Sequence, residues 1–193
     1  MKIHIQGDRT IAQDPERVKV IQLIAEEMKR RGDVAILGAY GDVAKIFADI
    51  LGEQAICYGH QPGKSRGQCP ESVKFVDCGE LTAKIDYPDN RVVGWGIRQG
   101  LMMYEADGFI FFPGGEGTLA DLMAAIAHCI KCEGAHKSKY MILIDWPIKK
   151  LHAIEDLYGW DNSNRPIWLR YYVSLKGNTH RGSEYVVSLL HGE

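Results

Sequence analysis

A chain of 193 residues, 46% apolar and 25% charged, has the size and balance to fold as one domain over residues 1–193. Its net charge of −2 argues against a nucleic-acid polymer as partner, because such binders carry a basic stripe that displaces phosphate counterions. No apolar run approaches the ~18 residues of a membrane span, so no membrane partner is expected. The five cysteines, an odd number, read as the reduced thiols of a cytoplasmic protein.

Ile3 to Gln6 reads as a strand that runs out into Gly7-Asp8-Arg9. Asp14 and Pro15 predict a helix start, as N-cap and first helical residue, and Gly32 predicts its end. Between them Val20, Ile21, Ile24, Ala25 and Met28 form an apolar stripe. Val34 to Leu37 is a short apolar strand, and Gly38 to Gly41 is a tight turn. Val43, Ile46, Phe47, Ile50 and Leu51 then return to helical spacing. Gln54 to Tyr58 and Val73 to Cys78 read as strands on either side of a Gly/Pro-rich loop. Asn90 caps a helix running to about Glu105. Gly108 to Phe112 is a buried strand, Thr118 to about Lys131 a helix, and Tyr140 to Ile144 a further strand. The tail carries Trp160, Trp168, Tyr171 and Tyr172, and is expected to pack on the body.

Strands that alternate with helices and are apolar on both faces predict an α/β architecture. It is Rossmann-like and doubly wound, with a mainly parallel sheet and helices on both faces. Ligands of such sheets sit beyond the carboxyl ends of the strands. Three glycine turns fall there: Gly7, Gly38 to Gly41, and Gly114 to Gly117. The last is the sharpest, a buried strand passing through glycines into a helix. Bare glycines let a ligand approach the backbone, and a helix start offers unpaired N–H groups that suit phosphate. Gly114, Gly115, Gly117 and Thr118 are therefore candidate phosphate contacts, with Gly7, Gly38 and Gly41 beside them.

The run Pro113-Gly114-Gly115-Glu116-Gly117-Thr118-Leu119-Ala120-Asp121 follows Arg98-Gln99-Gly100-Leu101-Met102 and Asp107-Gly108-Phe109-Ile110. Together they resemble the signature of the LOG family, the cytokinin riboside 5'-monophosphate phosphoribohydrolases. The resemblance implies an N-glycosidase that converts a nucleoside 5'-monophosphate to free base and (deoxy)ribose 5-phosphate. It places the family's catalytic arginine on Arg98 and its acid on Asp121, and it implies a homodimer or larger homo-oligomer. The scheme needs neither cofactor nor metal. Where the family carries glutamate this chain has Asp121, and its second glycine turn is the shorter Gly38 to Asp42. A second reading therefore stays open: a nucleotide or cofactor carrier or sensor that uses the same loop without turnover.

Each candidate has a plainer alternative. Thr118 and Asp121 fit a capping box, Thr118 as N-cap and Asp121 as the acid three residues on. Arg98 fits the surface of an amphipathic helix, although Gly94, Gly96 and Gly100 around it predict close packing by a helix or a ligand. Glu116 is expected to face solvent. Asp8 and Arg9 are placed to contact ligand or simply to be solvated, and His60, Lys64 and Arg66 to form a basic flap or a solvated loop. Gly63-Lys64-Ser65 is not a P-loop, because Gly59 leaves one residue too few before it. His128, Cys129 and Cys132 make half a zinc site with no second half, and Cys129 continues the stripe of Leu122, Ala125 and Ile126 as a buried thiol. Nothing resembles a pyridoxal-phosphate lysine.

Overall fold

In β1 (Lys2–Gln6) the side chains alternate, Ile3 and Ile5 toward one face and His4 toward Phe109 and Phe111 on the other. The computed structural model describes residues 1–8, 11–38, 41–59, 69–79, 90–132, 139–172 and 179–193. Arg9, His60, Lys64 and Arg66 lie outside the described residues, and so do Ala39 and Tyr40.

The other strands are β2 (Val34–Gly38), β3 (Ala55–Gly59), β4 (Lys74–Asp77), β5 (Gly108–Phe111), β6 (Met141–Ile144) and β7 (Leu169–Tyr172). They form one seven-stranded sheet in the order β4-β3-β2-β1-β5-β6-β7, and every pairing is parallel. Among the described residues the α-helices are α1 (Pro15–Arg31), α2 (Asp42–Leu51), α3 (Asn90–Glu105), α4 (Glu116–Cys132), α5 (Ile148–Tyr158) and α6 (Thr179–His191). This is the Rossmann-like α/β fold that the alternation of elements predicts.

Two apolar layers hold it. On one face α1, α2 and α6 pack on Ile3, Ile5, Ala35, Leu37, Ile110 and Ile142. On the other, α3, α4 and α5 pack on Ile36, Phe109, Phe111, Met141 and Leu143. β2, β3, β5 and β6 feed both layers in alternation, so a one-residue slip in their registers would expose core side chains.

Local signals set the helix ends. The Asp14 carboxylate accepts from the Glu16 and Arg17 amides at 3.1 and 3.3 Å, Pro15 opens α1, and Gly32 closes it at φ 74°. The tail packs as expected and supplies α5, β7 and α6. Val186, Val187 and Leu190 of α6 are buried, and His191 Nε2 lies 3.0 Å from the buried Asp33 carboxylate.

Gly7, directly after β1, is squeezed between α2 and the end of β5. A Cβ there would lie 2.7 Å from Val43 Cγ2 and 3.0 Å from Phe112 Cβ. Val43 is β-branched and stiff, and Phe112 Cβ is fixed to the backbone, so neither yields cheaply. Gly7→Ala is expected to cost about 1–3 kcal/mol and to lower the thermal midpoint. An unchanged midpoint in a thermal melt would show that α2 can shift freely.

Candidate active site at the strand-order reversal

The order of strands reverses at β1, which has β2 on one side and β5 on the other. Chains leaving β1 and β5 therefore pass to opposite faces of the sheet and leave a crevice above their carboxyl ends. Two backbone hydrogen bonds fix its floor, Phe112 N to Gln6 O at 2.9 Å and Asp8 N to Pro113 O at 3.1 Å. The cleft holds about 290 Å³. Of the residues named from sequence, Gly7, Asp8, Gly38, Arg98, Gly115, Gly117, Thr118 and Asp121 line it, joined by Gln6 and Trp95. Gly114 and Gly41 border neighbouring spaces instead. Gly114 lies with Leu119, Trp146 and Lys150 beside a cavity of about 250 Å³. Gly41 lies with Asp42 and Lys45 beside one of about 500 Å³.

The glycine loop passes into α4 earlier than the sequence predicts. The helix starts at Glu116, and Leu119 N donates to Gly115 O at 3.0 Å, so the N-cap position falls on Gly115. Glycine has no capping side chain, while Glu116 in the first turn complements the helix dipole. The capping-box reading is thereby overturned: Thr118 stands inside the helix, and Asp121 lies in the second turn, too far along to cap. A Cβ on Gly114 would overlap the Thr118 side chain, so this glycine makes room for the threonine. At Gly115 and Gly117 a Cβ would meet nothing within 4 Å, so both backbones are bare and open. Glu116 is exposed, as expected.

Arg98 on α3 and Asp121 on α4 are both buried, at 6% and 1% exposure, although both border the cleft. Arg98 is thus no surface arginine. A Cβ on Gly38 would lie 3.6 Å from Arg98 Nη1, which places the guanidinium over the end of β2. Gln99 Nε2 donates to Asp121 Oδ1 at 2.8 Å. Burial pushes the Asp121 carboxyl above its usual range, while the charge of Arg98 and the Gln99 hydrogen bond pull it back. A carboxylate held this way, out of water and beside a cation, suits the stabilisation of positive charge or the binding of hydroxyl groups.

Below Arg98 lies His4, fully buried. Its Nδ1 is 3.1 Å from Ile36 O, a carbonyl that can only accept, so Nδ1 carries the proton. Nε2 is buried without a partner among the described residues. Burial first, then the charge of Arg98, pushes the ring down to about 4, against a raising effect from the Ile36 carbonyl. The imidazole is therefore neutral near pH 7. Sequence reasoning singled out neither His4 nor Gln99. The available signals were a histidine between two isoleucines in an apolar strand and a glutamine next to Arg98.

Gly94 of the cluster around Arg98 is buried, while Gly96 and Gly100 lie on the outward side of α3, where no described atom would meet a Cβ within 4 Å. Cys129 is buried, and its Sγ donates to Lys139 O at 3.7 Å. Among the described residues no helix is long and apolar enough to cross a membrane.

The sequence matches no protein-family model and no curated protein. Solved structures do share the fold. The molybdenum cofactor carrier protein of Chlamydomonas reinhardtii superposes with a TM-score of 0.62 at 13% identity, covering 100% of this chain and 98% of that one. The molybdenum cofactor binding protein of the phototrophic bacterium Rippkaea orientalis gives 0.59 at 13%, over 99% and 95%. DNA processing protein A of Helicobacter pylori, a single-stranded DNA binder, gives 0.61 at 13%, over 99% and 82%. Identities this low establish the common fold.

Both buried groups leave a signature in pH-dependent stability. The His4 pKa is lower in the folded chain than in the unfolded one, so its contribution is complete above about 6.5 and is lost as pH falls toward about 4. His4→Phe is expected to flatten the loss over that window by up to about 3 kcal/mol relative to the wild type, read from urea unfolding at successive pH values. Asp121 has the opposite sign: its raised pKa makes ionisation costly in the folded state. Asp121→Asn is therefore expected to gain in thermal midpoint relative to the wild type as pH rises from the ordinary aspartate value of about 3.9. A difference that stays constant with pH would mean that Asp121 ionises in the cleft as easily as in water.

Proposed function

We propose that the cleft binds a nucleoside 5'-monophosphate and hydrolyses the bond between its sugar and its base. The observation that carries this reading is the meeting of three features in one cleft: the open backbone of Gly115 and Gly117 at a helix start, the buried Asp121, and Arg98. In the proposed complex the phosphate lies against the start of α4, near Thr118. The sugar then reaches Asp121, which stands one turn or about 5 Å further along the helix axis than Thr118. Water adds to the anomeric carbon as the carbon–nitrogen bond breaks, giving sugar 5-phosphate and a base that leaves with a proton. The Asp121 carboxylate stabilises the positive charge that develops on the sugar. Arg98 and Gln99 hold that carboxylate in place. The resemblance to the LOG family supports the same assignment of Arg98 and Asp121.

A second reading is favoured by the solved structures of this fold that carry or bind the molybdenum cofactor. In it the same loop holds a phosphate-bearing cofactor and no bond is broken. The homodimer implied by the family resemblance belongs to the proposal, with the open face of α3 at Gly96 and Gly100 as the place for a second copy. Light scattering at micromolar concentration is expected to give at least twice the monomer mass, and a monomer would count against it.

Incubation with ribo- and deoxyribonucleoside monophosphates, followed by chromatography for free base, separates hydrolysis from carriage. Asp121→Asn is expected to lower turnover at least about a hundredfold, ~2.7 kcal/mol of transition-state stabilisation, with the protein still folded. Gly115→Val, whose side chain would enter open space, is expected to abolish nucleotide binding at a cost in stability of about 1 kcal/mol. Nucleotide that binds and is recovered intact after long incubation would favour the carrier. A folded Gly115→Val protein that binds normally would move the phosphate site elsewhere.

A further inference from the structure

His4 is buried between Ile3 and Ile5 of β1, and only half of its imidazole is used. Its Nδ1–H is committed to the Ile36 carbonyl on the neighbouring strand at 3.1 Å. Nε2, at the far end of the ring, keeps a bare lone pair out of solvent. Folded proteins rarely leave a buried acceptor in that state, because its lost hydration is not replaced. An apolar side chain would fill the same layer without that cost.

What stands over the ring decides what the lone pair can serve. Side chains of a strand rise steeply from the sheet, so the tip of the ring faces the helix layer. The helix packed on β1 and β2 on this face is α3. Among the described residues, those that α3 buries are Gly94, Arg98, Met102 and Met103. Of these only Arg98 carries an N–H donor on its side chain. Arg98 Nε is buried in the same layer, and the charge of the arginine reaches the ring and opposes its protonation. The fork of the guanidinium lies nearer the cleft. Nη1 stands over Gly38, two residues beyond Ile36 on β2, roughly 7 Å along the strand from the level of His4.

We propose that His4 is a positioning residue for Arg98: when a ligand fills the cleft, Nε2 accepts the Nε–H of the arginine and turns Nη1 and Nη2 toward the ligand and Asp121. The inference rests on the reading of the cleft as a site for a phosphate-bearing ligand, and adds the group that aims its arginine. A neutral imidazole suits the task better than a carboxylate. It accepts one hydrogen bond in a fixed direction and leaves the positive charge of Arg98 to the cleft. The ring is held by the Ile36 carbonyl and by edge contacts with Phe109 and Phe111.

Titration of the full chain with ribose 5-phosphate tests it, followed by calorimetry and by the imidazole nitrogen resonances of isotopically labelled histidine. The His4 signals are assigned by their loss in His4→Phe. On binding, Nε2 is expected to move to the position of a hydrogen-bonded acceptor while Nδ1 stays. His4→Gln, whose amide oxygen can stand where Nε2 stood, is expected to keep the affinity within about twofold, and His4→Asn, which still donates to Ile36 but is too short to reach Arg98, to lose at least about tenfold. Thermal melts check that both variants fold, and His4→Phe replaces His4→Asn if the latter does not. In an Arg98→Ala background the same substitution is expected to change nothing further, because a residue that acts through Arg98 has nothing left to aim. Equal losses in the two backgrounds, or equal weakening by Gln and Asn, would make His4 a packing residue only. Ligand that binds without moving Nε2 would overturn the hydrogen bond while leaving the cleft reading intact. If ribose 5-phosphate does not bind the unsubstituted chain, the phosphate reading falls and the assignment of His4 with it.

Discussion

β1 pairs with β2 through Lys2 to Ile5 and with β5 through Ile3 to Gln6, and both pairings are parallel. A parallel neighbour on each side forces the chain to leave β1 and β5 toward opposite layers of helices. The cleft is the space that this divergence leaves. Gly7 must be bare because α2 and Phe112 close on it at the same level. Thr118 and Asp121 come to the cleft because α4 starts immediately after β5. Arg98 comes to it because α3 crosses the same face. Weakening the β1–β5 pairing would disperse all of these groups at once.

The polar groups beneath the cleft are unusual for their layer. Arg98, Asp121 and His4 lie among Ile36, Met102, Phe109 and Phe111, where charge is costly to keep out of water. His4 answers that cost by staying neutral, with Nδ1 committed to the Ile36 carbonyl. Asp121 answers it with the Gln99 amide and the nearby charge of Arg98. A layer built for stability alone would carry apolar side chains at these positions. Their concentration at one point, under an open glycine loop, is the physical argument for function here.

The glycines of the chain divide by physical role once their surroundings are known. Gly7 and Gly114 are bare because protein atoms crowd them, Val43 and Phe112 in one case and Thr118 in the other. Gly115 and Gly117 have open space around them among the described residues, Gly115 at the N-cap of α4. Gly96 and Gly100 are open on the outside of α3. A sequence pattern treats these positions alike, because the difference between them lies in neighbours far along the chain.

The sequence by itself determined what depends on near neighbours. The Asp14–Pro15 start and Gly32 end of α1 follow from side chains and backbone within a few residues. So do the apolar stripes of α1 and α2 and the doubly wound alternation of strands and helices. Its resemblance to the LOG family pointed to Arg98 and Asp121, and both line the same cleft. Tertiary structure decided what depends on contact across the sheet. The N-cap moved to Gly115 because the chain turns into α4 directly off the end of β5, which removed the capping role from Thr118 and Asp121. Arg98 became a buried residue of the cleft when α3 packed over β1 and β2. Gln99 met Asp121 across two helices, twenty-two residues away in the chain. His4 acquired its neutral state from burial beneath Arg98. Periodicity reports which face a residue occupies, but only the packed sheet and helices set what stands opposite it.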